Sequence, residues 1–178
     1  MSFLDKIKSI VNVDEDGYYP DETLAGKDLV RGQQIPKGLV HLVCEILVLH
    51  EDGDILVTKR AENKESYGGY YEASAGGSVL KGESVEEGAK RELWEETGIK
   101  VEKLKFLYKK MNQKGNAIHY GYLCITDIPK DAVVLQQEET VDYQWMDKED
   151  FDKLLKGDKF IPSRRERLQE YMSQNKLF

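Results

Sequence analysis

Residues 84–98, SVEEGAKRELWEETG, write both ends of a helix into their own side chains, and no other stretch constrains the fold as strongly. Ser84 followed by Glu87 forms an S-x-x-E capping box, in which hydroxyl and carboxylate each satisfy a backbone N–H of the first turn. Gly98 stands where a left-handed residue closes a helix. Val85, Ala89 and Leu93 recur every four residues, a stripe that must face a core. Glu92, Glu95 and Glu96, at offsets of three and four, share another side, which the pattern sets outward into a cleft. Like charges so placed repel by roughly 0.2–0.5 kcal/mol per pair. A hard divalent cation such as Mg2+ relieves that repulsion, so the segment predicts a metal-binding face on a docked helix.

Strand patterns flank the helix. LVHLVCEILVL from Leu39 is a β-prone apolar run, HEDGD supplies a turn centred on Asp52 and Gly53, and ILVTKR resumes as a strand. KLKFLYKKMN and NAIHYGYLCI form a second pair around Lys114 and Gly115, and VDYQWM reads as a further strand. Two later helices are expected, from about Lys148 to Lys156 and from about Arg164 to Ser173, with Asp147 and Ser163 as N-caps. At the other end, Phe3, Leu4, Ile7, Ile10 and Val11 have helical spacing. Asp14 to Gly38 then reads as loops and short strands, and its acidic DEDGYYPDE stretch as a solvated loop without the spaced ligands of a calcium loop. With 178 residues, 40% of them hydrophobic, the chain is long enough for one substantial core. Residues 1–38 are expected as an extension packed on a domain of residues 39–178.

Charge and cysteine usage narrow the class. A net charge of −7 argues against non-specific binding to nucleic acid or to an anionic membrane. No run approaches the ~20 apolar residues of a membrane span, and Asp5, Lys6 and Lys8 interrupt the apolar residues at the start. Cys44 and Cys124 lie in strand-like contexts without metal spacing and read as buried free thiols, which makes a cytoplasmic location the default. His41, His50 and His119 are not spaced as a metal set and read as structural or surface residues.

The stretch from Gly77 to Ile99 also resembles the Nudix box: Gly, five residues, Glu, seven residues, then Arg-Glu-apolar-x-Glu-Glu-x-Gly-apolar. Gly77, Glu83, Arg91, Glu92, Leu93, Glu95, Glu96, Gly98 and Ile99 fill every defining position. The resemblance implies an α/β fold, an α/β/α sandwich around a mixed β-sheet, and a hydrolase that uses Mg2+ or Mn2+ on a small diphosphate-containing substrate. It also implies the roles. Glu92, Glu95 and Glu96 are expected as metal ligands, Gly76 as a further ligand through its carbonyl, and Glu92 alternatively as the base that takes the proton of water. Arg91 is expected to pair with box carboxylates such as Glu83 or Glu87. A further acid from a later loop, Glu138 or preferably Glu139, completes the metal set.

Upstream, VTKRAENKESYGGYYEASAGG resembles the diphosphate-binding segment of isopentenyl-diphosphate isomerases and of hydrolases like them. Arg60 and Lys64 are the phosphate contacts so implied, roles suited to the guanidinium fork and the ammonium point charge. The isomerase's reactive cysteine and metal-binding histidine would fall at Gly76 and Ser78, and neither side chain can do that work. Hydrolase is therefore the leading expectation, with an isomerase and a non-catalytic ligand-sensing module as alternatives. Tyr67, Tyr70, Tyr71 and Tyr120 could stack on a base, though aromatic residues in such strands more often belong to the core, and a homodimer is left open.

Overall fold

Aliphatic residues at alternating positions make His41–His50 and Ala117–Thr126 the two central strands of the sheet. In chain order the strands are β1 (Glu15–Tyr18), β2 (Leu24–Leu29), β3 (His41–His50), β4 (Ile55–Arg60), β5 (Tyr71–Ala73), β6 (Ala75–Ser78), β7 (Lys105–Asn112), β8 (Ala117–Thr126) and β9 (Thr140–Met146). The helices are α1 (Val85–Thr97), α2 (Lys148–Lys156) and α3 (Pro162–Gln174). This is a computed structural model, and it describes residues 14–175; the helix expected between Phe3 and Val11 lies outside them.

β3 and β8 run parallel in unbroken register from His41 opposite Ala117 to His50 opposite Thr126. On its other edge β3 takes β6 antiparallel, with Glu45 opposite Gly76, and meets β4 next to the turn at Leu49 and Ile55. β4 pairs with β5 and β9, and β7 closes the far side against β8. Residue alternation sorts the two faces. Cys44, Ile46 and Val48 turn to the core beneath α1, where Ala89 and Leu93 are fully buried. Leu47, Ile55 and Val57 turn to the opposite side, against Phe151, Leu155 and Leu168 of α2 and α3. The result is the expected α/β/α sandwich with a mixed sheet.

Two local expectations are corrected. The acidic stretch from Asp14 is a solvated loop only at its end, where Tyr19 to Asp21 form an exposed turn. Residues 15–18 form β1 and pair antiparallel with β2, and Glu15 is buried with His41 Nδ1 2.6 Å from its Oε2. The hairpin is also fastened to the loop before α1. Lys81 N–H donates to the Asp14 carbonyl at 3.0 Å and Gly82 N–H to Asp16 Oδ2 at 2.9 Å. The second correction concerns α3, whose N-cap is Ile161 rather than Ser163. Pro162 takes the first helical position, where its missing N–H costs nothing.

Candidate active site

The site begins at the start of α1. Glu87 N–H donates to Ser84 Oγ at 3.2 Å and Ser84 N–H to Glu87 Oε2 at 2.8 Å, so the capping box is closed. Gly98 ends the helix at φ 74°. Glu87 is thus taken up by the cap, and Arg91 goes elsewhere than the Glu87 alternative. Its Nε donates to Glu83 Oε1 at 2.7 Å, its Nη1 to Glu92 Oε1 at 2.7 Å and to Glu95 Oε2 at 3.2 Å, and its Nη2 to the Ser78 carbonyl at 3.0 Å. One guanidinium spreads over three carboxylates. Burial works against its charge, yet Glu83 and Glu92 hold its proton more tightly than in an ordinary arginine.

Glu96 meets β6. The Gly76 N–H donates to Glu96 Oε2 at 3.1 Å. Within a strand the N–H and C=O of one residue point along the same edge, so the Gly76 carbonyl shares that side. Gly77 leaves room for Glu92: a Cβ there would stand 2.5 Å from the Glu92 carboxyl carbon. Glu92 and Glu96 are only 7% and 6% exposed, which corrects the expected open face: these carboxylates are buried beneath the strand. Burial first, and then the charges of Glu72 and Glu92, push the Glu96 carboxyl well above its usual range.

Among the described residues no three His, Cys, Asp or Glu side chains stand together as a ready ion-binding set; Arg91 and the Gly76 N–H occupy oxygens of Glu92, Glu95 and Glu96. The donor chemistry nevertheless suits a divalent cation. It consists of hard carboxylate oxygens, with Glu72 and Glu92 close enough to Glu96 to push its carboxyl up further.

Arg60 ends β4, where its Nε donates to the Ser66 carbonyl at 3.3 Å and its Nη1 to Glu72 Oε1 at 3.3 Å. Lys64 forms an ion pair with Glu139, whose backbone carbonyl accepts from Ala61 N–H at 2.9 Å. Together with Ser66 and Glu138 they line an open groove, so Arg60 from the end of β4 meets Lys64 and Glu139 from two loops.

The remaining candidates have partners within the fold. His50 Nε2 lies 3.1 Å from the Ile128 carbonyl, and His119 Nδ1 lies 3.3 Å from Glu45 Oε1. Tyr120 hydrogen-bonds Glu22, and Tyr67 packs edge-on to Tyr70 at 5.4 Å. Both cysteines are buried and free. Cys44 Sγ donates to the Gly77 carbonyl at 3.3 Å, and burial, aided by Glu92, pushes its thiol up to about 12.

Sequence reasoning missed the polar cluster behind β6: Glu45, Glu72, Tyr108, Arg164 and Arg167. Tyr108 OH donates to Glu45 Oε2 at 2.8 Å and Arg167 Nε at 2.9 Å, while Arg164 pairs with Glu72. One signal was available, the lone charge of Glu45 inside an apolar run, which demands a buried partner.

The chain is similar to known proteins over most of its length. The NUDIX domain family model matches residues 40–168. An uncharacterized Nudix hydrolase of Listeria monocytogenes is 34% identical over 156 residues, 87% of each chain. An isopentenyl-diphosphate Delta-isomerase of Salmonella heidelberg is 31% identical over 111 residues, 60% of this chain and 61% of that one. Among solved structures, DR0079 from Deinococcus radiodurans superposes with a TM-score of 0.74 at 15% identity, covering 89% of this chain and 98% of its own. No helix among the described residues is long and apolar enough to cross a membrane. The matched family model, the Listeria relative and the complete box from Gly77 to Ile99 make this chain a member of the Nudix hydrolase family.

Proposed function

We propose that the protein hydrolyses the diphosphate bond of a nucleoside diphosphate-linked or related small molecule, with Mg2+ or Mn2+ as cofactor. The observation that carries this reading is the Arg91 fork, which joins Glu83 of the preceding loop to Glu92 and Glu95 of α1 while Glu96 meets Gly76. Glu92, Glu95, Glu96 and the Gly76 carbonyl would hold the cation, with Glu139 as a ligand from the groove side. Bound there, the cation would offset the charge of the diphosphate and acidify a water. Arg60 and Lys64 bind and orient the phosphates, and Arg91 keeps the glutamates from repelling one another. Glu92 or Glu95 takes the proton of the attacking water.

Incubation with Mg2+ and a panel of nucleoside diphosphate derivatives, dinucleoside polyphosphates, nucleotide sugars and prenyl diphosphates tests the proposal. Phosphate or a nucleoside monophosphate should appear, and Glu95→Gln or Glu96→Gln should remove most of it. Undiminished turnover in both variants would refute the metal assignment.

A second reading, isopentenyl-diphosphate isomerisation, draws on the Salmonella relative. Gly76 and Ser78 oppose it, as does the Cys44 thiol, buried on β3 and firmly protonated. Deuterium uptake into isopentenyl diphosphate without phosphate release would favour the isomerase.

A further inference from the structure

Arg164 lies in the first turn of α3, buried, 89 residues along the chain from Ala75, and its guanidinium touches both halves of the site. Nη1 donates to Glu72, whose other oxygen accepts from Arg60 Nη1 at 3.3 Å. Nη2 donates to the Ala75 carbonyl, next to Gly76, whose N–H holds Glu96. Nε lies 3.6 Å from Glu45 Oε1, an oxygen that Arg167 also holds. A Cβ at Gly76 would stand 2.7 Å from Arg164 Nη2 and 2.5 Å from the Cys44 carbonyl oxygen. The position that lacks a side chain is thus filled by an arginine from the opposite layer of the sandwich.

We infer that Arg164 is a positioning residue for hydrolysis: through Glu72 it sets Arg60, through the Ala75 carbonyl it sets the Gly76–Glu96 contact, and glycine at 76 admits it. The inference rests on reading Arg60 as a phosphate contact and Glu96 with Gly76 as cation ligands. A fork with several donors is what these simultaneous bonds require. Lysine has the charge but not the geometry.

Arg164→Lys tests this against Arg167→Lys, which alters the same helix and the same contact with Glu45 but touches neither Glu72 nor Ala75. In Arg164→Lys, the KM for the best diphosphate substrate and the Mn2+ dissociation constant, read by electron paramagnetic resonance, should each rise by about tenfold. In Arg167→Lys both should stay within about twofold while the melting temperature falls. A purely structural arginine would lower the melting temperature alike in both variants and move neither constant; that result would overturn the inference. Should Arg164→Lys fail to fold, Glu72→Gln carries the test, because it breaks the link to Arg60 and should raise KM by about tenfold as well. An unchanged KM there would equally overturn it. A wild-type protein that binds Mn2+ but cleaves no diphosphate defeats the functional reading and leaves the Mn2+ comparison to judge Arg164. Binding of neither defeats both.

Discussion

Gly77 and Glu45 show how single positions serve the site from opposite sides of the sheet. At Gly77 an added methyl would meet the Glu92 carboxylate. Gly77→Ala should therefore push Glu92 off Arg91 and lower kcat/KM by about 10–100-fold, checked by steady-state kinetics beside a melting curve that moves little. At Glu45, burial alone would raise the carboxyl; the nearby His119 and the charges of Arg164 and Arg167 overcome it and hold the carboxyl well below its usual range. The folded state thus binds a proton less readily than the unfolded chain, whose carboxyl titrates near 4.5. This contribution to stability is complete above 4.5 and is lost as pH falls toward the folded value. Glu45→Gln should cost about 3 kcal/mol at neutral pH, because it strands buried arginines, and should flatten the decline in stability below pH 4.5. Urea titrations of both proteins from pH 7 to pH 3 measure it.

Helix α1 could be read from sequence because its signals are local: Ser84, Glu87 and Gly98 lie within a few residues of the ends they define. Ser84→Ala should cost about 1 kcal/mol in chemical denaturation. It should leave kcat/KM within about twofold, since Arg91 keeps Glu83 without the cap. The strands that sequence left obscure are short and rely on distant partners. β5 and β6 span three and four residues, lie in a glycine-rich stretch and gain their register from distant β4 and β3, β5 also bridging to Phe160. β1 looked like a solvated acidic loop because nothing near Glu15 in sequence announces His41. At α3 the overlooked signal was Pro162, a better start marker than Ser163.

For the molecule as a whole, the order of elements was enough to predict the layers, because apolar alternation says which face of each strand is covered. The Arg60, Glu72, Arg164 and Glu45 chain of contacts was not legible, since it joins β3, β4, β5 and α3 through side chains far apart in sequence. The parallel pairing of β3 with β8 has a consequence in time. These strands lie on either side of α1, so the central ladder forms only after a long loop has closed, a slow event relative to helix formation. In stopped-flow refolding, helical ellipticity should rise before Mn2+ is taken up, and hydrogen exchange should find the last amides to open in β3 and β8. Simultaneous growth of both signals would contradict this order. The glutamates of α1 would then spend the first moments of each molecule's life already on a helix, waiting for a strand to arrive.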